Sequence, residues 1–320
     1  MRILFVTATR IGDAVLSTGL LSYLTGRWPE ARLTVAAGPL AAPLFEAAPG
    51  LERLLVVDKR HWSLHWLPLY AAVAGRRWDL AVDLRGSALL WLLRAGERRV
   101  MGKGDSREHR VRQLARLFGL DPPPAPVLWT LPRHERAAAA LVPAGGPVLA
   151  IGPAANWRGK EWRADRFAEL ARRLTAPQGL LPGAQVAILA AGHERAQAAP
   201  VLAAIPDARR IDLVGRVDLL TAAAVLRRCA LFVGNDTGLM HIAAASGVPT
   251  LGLFGPSPAE QYAPWGARAA YVQSADPREA MFGPGFDHRT TGSLMDGLSV
   301  DAVAAAACRL LEGPAASAAA

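Results

Sequence analysis

Apolar residues in the first 120 positions fall into short runs separated by longer mixed stretches. RILFVTA, ARLTVAAG, RLLVVD, DLAVDLRG and RRVMGK have the length of strands. Between them lie segments such as AVLSTGLLSYLTGRW and REHRVRQLARLFGL; in the second, Val111, Leu114, Ala115 and Phe118 recur at helical spacing. Strands apolar on both faces and joined by helical crossovers make a parallel sheet covered on both sides. DPPPAP, from Asp121 to Pro126, breaks the alternation, and a helix from His134 to Leu141 and the turn PAGGP follow. Beyond Pro147 the alternation resumes with VLAIGP, QVAILAAG, RRIDLVG, LFVGND, TLGLFG and AAYVQ. The pattern predicts an α/β chain of two Rossmann-like, doubly wound parallel-sheet domains, over residues 1–145 and 146–300, facing a central cleft. A closing helix and a frayed tail, GPAASAAA, take residues 301–320, and the helix is expected to pack back on the first domain.

Composition narrows the class. A chain of 320 residues that is 52% hydrophobic and 20% charged folds into globular domains. Cys229 and Cys308 sit in apolar helical contexts without ligand-like spacing and read as buried free thiols of a reducing compartment. ILFV is too short for an export signal, and no segment approaches the ~20 apolar residues of a membrane span, so a cytoplasmic location is expected.

The net charge of +9 is lopsided: residues 1–120 hold 18 Lys and Arg against 10 Asp and Glu, whereas residues 147–320 hold 16 against 15. Either an arginine-rich composition accounts for this, or the first half meets an anionic partner: nucleic acid, acidic lipid or a phosphorylated glycolipid. No nucleic-acid module accompanies the charge, so nucleic acid is not expected. No G-x-G-x-x-G follows the first strand, which argues against a dehydrogenase. In KRHWSLHWLPLYAAVAGRRW, Trp62, Trp66 and Tyr70 stand four apart between basic ends. They form either a surface touching the inner face of the cytoplasmic membrane or an ordinary sheet-packing helix; Pro68, which interrupts a long amphipathic face, favours the second.

In open α/β sheets ligands bind beyond the carboxyl ends of the strands, which singles out three loops. In TRIGDAVLSTGLL, Gly12 permits a tight turn and Asp13 stands where an N-cap belongs. Asp13 is either that cap, stabilising by ~1 kcal/mol, or a general base at the cleft, a role that capping hydrogen bonds would weaken. In GPAANWRGKEWRADRF, Gly152 and Gly159 are too far apart for a P-loop, and Glu161 stands where Ser or Thr would hold magnesium. What survives is Lys160, a point charge for phosphate in a loop that also holds Asn156.

FVGNDTGLMHIAAASG concentrates Asn235, Asp236, Thr237, Gly238 and His241 at the end of an apolar run. If a helix begins at Thr237, its first backbone N–H groups, around Gly238 and Leu239, have no helical partner and can cradle a diphosphate. His241, one turn on, either donates to that anion or is a satisfied core residue. Asp236 belongs beside an anion only if it caps the helix or orients His241 or a lysine.

GNDTGLMHIAAASGVPTLGLFGPSPAEQYAPWG resembles glycosyltransferase family 9, the ADP-heptose:lipopolysaccharide heptosyltransferases, in its D-T-G-x-x-H motif, small-residue helix and strand ending in F-G-P. MRILFVTATRIGDAVLSTGLLSYL is similar to the family's opening strand and G-D-x-x-x-T element, ANWRGKEWRADRFAELARRL to its K-x-W loop, and SLMDGLSVDAVAAAACRLL to its closing helix. The resemblance runs through nearly the whole chain in the family's order. It implies a GT-B architecture and an inverting, metal-independent transfer needing no cofactor, from an ADP-sugar to a lipid-anchored lipopolysaccharide-core-type glycan; a monomer is expected. On this sequence it makes Asp13 the general base, gives the donor diphosphate to Lys160 and the Thr237–Gly238 helix end, and puts Glu194 of AAGHERA near the ribose hydroxyls.

The sequence also departs from the family. Arg163 stands where many members have proline, Ala155 and Asn156 replace hydroxyl residues, and GPGFDHRTTGSLM stands in place of a cysteine-bearing segment. The alternatives are a member using another nucleotide sugar and surface-glycan acceptor, or a homologue that binds a nucleotide sugar without catalysis.

Overall fold

The apolar runs become strands buried from both sides. The computed structural model describes residues 1–58, 66–105, 107–283 and 285–312, so Trp62 and the tail GPAASAAA lie outside the described residues. Two compact units divide the chain, Met1–Leu131 and Pro132–Ala320.

In the first unit, β1 (Arg2–Val6), β2 (Arg32–Ala37), β3 (Leu51–Val56), β4 (Arg77–Asp83) and β5 (Arg94–Val100) form a sheet in the order β3-β2-β1-β4-β5. Every pairing is parallel. Central β1 buries Ile3 to Val6 completely, as a strand with helices on both faces must. The helices are α1 (Ile11–Arg27), α2 (Trp66–Val73) and α3 (Arg110–Arg116). In the tryptophan-rich segment, one side of α2 packs on the sheet: Leu69 and Val73 join Leu4, Val6 and Ala81 in one core, with Trp66 at its margin, while Leu67 and Tyr70 stay exposed.

The second unit begins with α4 (Pro132–Leu141), followed by β6 (Val148–Gly152), α5 (Ala164–Leu174), β7 (Gln185–Ile188), α6 (Arg195–Ala204) and β8 (Arg210–Asp212). Then come α7 (Leu219–Leu226), β9 (Leu231–Asn235), α8 (Gly238–Ser246), β10 (Thr250–Phe254), α9 (Ala259–Tyr262), β11 (Ala269–Gln273), α10 (Arg278–Met281) and α11 (Val300–Glu312). Its strand order is β11-β10-β9-β6-β7-β8, again parallel throughout. α8 stops at Gly247, whose φ of +82° is left-handed and suits glycine.

One boundary differs from expectation. α4 packs on α7 and Glu135 pairs with Arg227 at 2.8 Å, so the division falls after Leu131 and not near residue 145. α11 packs on α5 and β11, and its Val303, Ala306 and Ala307 are part of the second unit's core. The apolar stripe of α11 finds its complement in the sheet edge made by β10 and β11.

Trp162 anchors that core. It is 1% exposed, meets Phe167 edge-on at 4.9 Å and donates its indole N–H to the Leu298 carbonyl at 2.8 Å. Trp162→Ala is expected to cost about 3–5 kcal/mol in denaturant unfolding; a loss below about 1 kcal/mol would show that the indole is not a core anchor.

Candidate active site

β6 and β9 lie side by side in the second sheet, yet the chain leaves β6 toward β7 on one flank and β9 toward β10 on the other. This is the switch point of a doubly wound sheet, where loops part and ligands enter. The two loops carry Lys160 and Asp236. Lys160 Nζ donates to Asp236 Oδ2 at 2.6 Å, with the side chains 23% and 9% exposed. Of the roles open to Asp236, the structure selects the one that aims a lysine.

Asn235 fixes the loops around this pair. Completely buried, it accepts from the Trp162 backbone N–H at 3.1 Å and donates to the Pro153 carbonyl at 2.8 Å. One amide thus ties both ends of the Lys160 loop to the end of β9. The strands approach closely where Gly152 faces Gly234; a Cβ at Gly152 would stand 2.9 Å from the Phe232 ring and 3.1 Å from Leu239.

The loop closes over Gly159, where a Cβ would come within 2.2 Å of the Trp157 ring. Phe286, Ser293 and Leu294, from the segment that departs from the family, meet it. Phe286 meets Trp157 edge-on at 6.2 Å, the Leu294 N–H donates to the Gly159 carbonyl at 3.1 Å, and the Ser293 hydroxyl donates to the Glu161 carbonyl at 2.6 Å.

Thr237 is the N-cap of α8, with extended backbone and no capping bond from its side chain. Gly238 and Leu239, half-buried, open the helix, and their amides have no acceptor within it. His241 is 4% exposed and faces the interior. Glu194 ends a 3₁₀ turn, half-buried, with Oε2 accepting from the Ala191 N–H at 2.7 Å; Asn156 is exposed. Beside this loop is a cavity of about 230 Å³ lined by Pro153, Arg158, Glu161, Gln197 and Ser293. Burial raises the Glu161 carboxyl above its ordinary 4.5, Arg158 opposes the rise and the charge of Glu194 adds to it.

In the first unit the expected turn at Gly12 is absent. α1 starts at Ile11 with Arg10 as N-cap, so Gly12 is helical and Asp13, half-buried, occupies the first turn without being the cap. The preceding bend is held instead by Thr7 and Ser17, whose hydroxyls meet at 2.8 Å. Past the ends of β4 and β5 opens a basic cavity of about 440 Å³ lined by Arg85, Lys103 and Arg110. Buried Asp83 shapes its rim by accepting the Arg85 and Ser87 N–H groups, each at 2.8 Å. Burial lowers the Arg85 guanidinium below its usual range, and the charge of Asp83 partly offsets this.

Trp162 and Glu161 escape sequence reasoning as site residues, and Asn235 is named there without a role. Asn235 leaves one signal, an amide ending a wholly apolar strand; the others depend on burial and tertiary contact. Among the described residues, no group of three His, Cys, Asp or Glu side chains is arranged to hold a metal ion.

Residues 76–283 match glycosyltransferase family 9 (heptosyltransferase). The chain is similar to lipopolysaccharide heptosyltransferase 2 of Salmonella typhimurium, 25% identical over 311 residues that cover 85% of this chain and 88% of the relative. It is 29% identical to lipopolysaccharide heptosyltransferase 1 of Pseudomonas aeruginosa, covering 80% of this chain and 79% of the relative. Among solved structures, a glycosyl transferase family 9 protein from Veillonella parvula superposes with a TM-score of 0.80 at 21% identity, covering 97% of each chain. E. coli ADP-heptose lps heptosyltransferase II superposes with a TM-score of 0.74 at 22% identity, covering 98% of this chain and 99% of that one.

A carboxyl raised by folding binds protons more tightly in the folded state, so its contribution to stability falls as pH rises from the ordinary value through the raised one. Glu161→Gln is therefore expected to melt above wild type at about pH 8, with the difference narrowing toward about pH 4. A variant that melts at or below wild type at the higher pH would contradict this assignment.

Proposed function

The chain belongs to glycosyltransferase family 9, the heptosyltransferases, and on that footing we propose that it transfers a heptose from an ADP-sugar to a hydroxyl of a lipopolysaccharide-core-type acceptor, with inversion and without a metal ion. The observation that carries this reading is the Lys160–Asp236 pair at the β6/β9 switch point, one residue before the N-cap of α8. An ammonium has three donors; one goes to Asp236, and the others meet the donor diphosphate. The Thr237 hydroxyl and the amides of Gly238 and Leu239 take further phosphate oxygens, and the helix dipole contributes roughly 0.3–1 kcal/mol per anionic group. These fixed donors stabilise the charge that grows on ADP as it departs, the task a metal ion performs elsewhere. His241 supports the helix end from within, Glu194 receives the ribose hydroxyls, and Asn156 and Gly12 lie beside the donor and the base respectively.

Asp13 takes the proton of the acceptor hydroxyl. That oxygen bonds to the anomeric carbon from the face opposite the diphosphate, the bond from that carbon to the phosphate oxygen breaks, and ADP leaves with the electron pair. The cavity of Arg85, Lys103 and Arg110 offers an anionic acceptor core three cations. A lipid-anchored acceptor places the enzyme, as a monomer, on the cytoplasmic side of the membrane; none of the described helices is long and apolar enough to cross it.

Asp13→Asn is expected to lower kcat by ~10²–10⁴-fold while ADP affinity stays within about twofold of wild type, read by donor turnover and by calorimetry. Unchanged turnover would remove Asp13 from the reaction. In thermal-shift titrations ADP is expected to stabilise the protein more than UDP or GDP; a preference for UDP or GDP would overturn the choice of donor.

A further inference from the structure

Two elements that pack into one core of the first unit also turn large apolar side chains to solvent. While Leu69 and Val73 of α2 are buried, its Leu67 is 62% exposed and Tyr70 is 38% exposed. A 3₁₀ turn at Leu89–Leu92 does the same: Leu89 and Leu90 enter the core that holds Leu69 and Val73, while Trp91 is 69% and Leu92 66% exposed. The two elements cover the same face of the first sheet, and each points its remaining apolar residues outward.

The turn is braced. The Arg98 guanidinium donates from Nε to the Leu90 carbonyl at 2.9 Å, from Nη2 to Leu93 at 2.7 Å and from Nη1 to Ala95 at 2.9 Å. A single side chain thus holds the carbonyls on both sides of Trp91 and Leu92, and the apolar tip is presented in one shape instead of folding back on the core. Contiguous exposed apolar groups mark docking surfaces, and tryptophan beside an aliphatic residue suits the boundary between headgroups and acyl chains.

The surroundings are cationic. Arg94 follows the tip directly and is exposed, Arg85 stacks over the Trp66 ring at 4.6 Å, and from Arg85 to Arg116 nine basic residues face three acidic ones. Two of the nearby acids are engaged, Glu97 with Arg99 and Glu52 with Arg76. An apolar tip within a basic stretch of chain complements a layer of anionic headgroups over an apolar interior.

We propose that the Trp91–Leu92 turn, with the outward side of α2, is the surface by which this protein docks on an anionic lipid bilayer. The inference shares with the proposed function only the premise of a lipid-anchored acceptor.

The test is co-sedimentation of the full chain with vesicles of phosphatidylglycerol and phosphatidylethanolamine, and with vesicles of phosphatidylcholine alone. Wild type is expected to bind the anionic vesicles preferentially and less strongly as salt rises. Trp91→Ser combined with Leu92→Ser should lower the partition coefficient at least about tenfold, and Arg94→Glu should lower it less, with ADP affinity and circular dichroism unchanged in both. Absence of wild-type binding, or equal binding by the double variant, would overturn the proposal. So would wild-type dimers in sedimentation velocity that the double variant abolishes, since a second copy would then cover the patch. Because ADP binding is read separately, loss of the membrane surface and loss of the donor site are distinguishable.

Discussion

A lysine and an aspartate facing each other at 2.6 Å, on loops 76 positions apart in sequence, are the constraint around which the second unit is built. Taking either charge out of water alone is expensive, so each holds the other in place. The pair leaves Lys160 donors to spare and little net charge, a combination suited to receiving an anion and releasing it. Its geometry depends on Asn235, which has no charge and no freedom: both ends of its amide are spent on Trp162 and Pro153. The chemistry at the switch point therefore rests on an interior hydrogen-bond frame anchored through Trp162 in the core.

The two units answer different demands. Residues 147–320 are nearly balanced in charge, and their switch point gathers local devices: one ammonium, one hydroxyl and the amides that open α8. Residues 1–120 carry a broad positive excess, with a basic cavity beyond β4 and β5 and a braced apolar turn between those strands. A small soluble donor calls for a few fixed contacts, whereas an anionic acceptor on a lipid anchor calls for a field and a surface. Membership of the heptosyltransferase family and the likeness to lipopolysaccharide heptosyltransferases fit that division.

Much of this was legible before any coordinates. Strands such as VLAIG and LFVGN are buried on both faces, so unbroken apolarity marked them clearly. Thr237 and Gly238 were legible because helix-opening residues after a strand follow local rules. The capping reading of Asp13 arose because a polar residue before an apolar periodic run imitates an N-cap; here the N-cap is Arg10, three residues earlier, with no side-chain cap. LLWL is a turn that buries two residues and exposes two, and the bond that braces it comes from Arg98 of the next strand, which the run itself does not announce. Glu161 could not be identified from sequence, since its raised pKa comes from burial by neighbours distant in the chain. α4 joined the second unit for a similar reason: its Glu135 meets Arg227, 92 positions away.

The central claim is that the Lys160–Asp236 pair and the open end of α8 receive the donor's diphosphate. A crystal structure of the full chain grown with ADP tests it most directly. The account predicts phosphate oxygens within about 3 Å of Lys160 Nζ and of the Gly238 and Leu239 amides. A nucleotide bound elsewhere, with that helix end left to solvent, would contradict it.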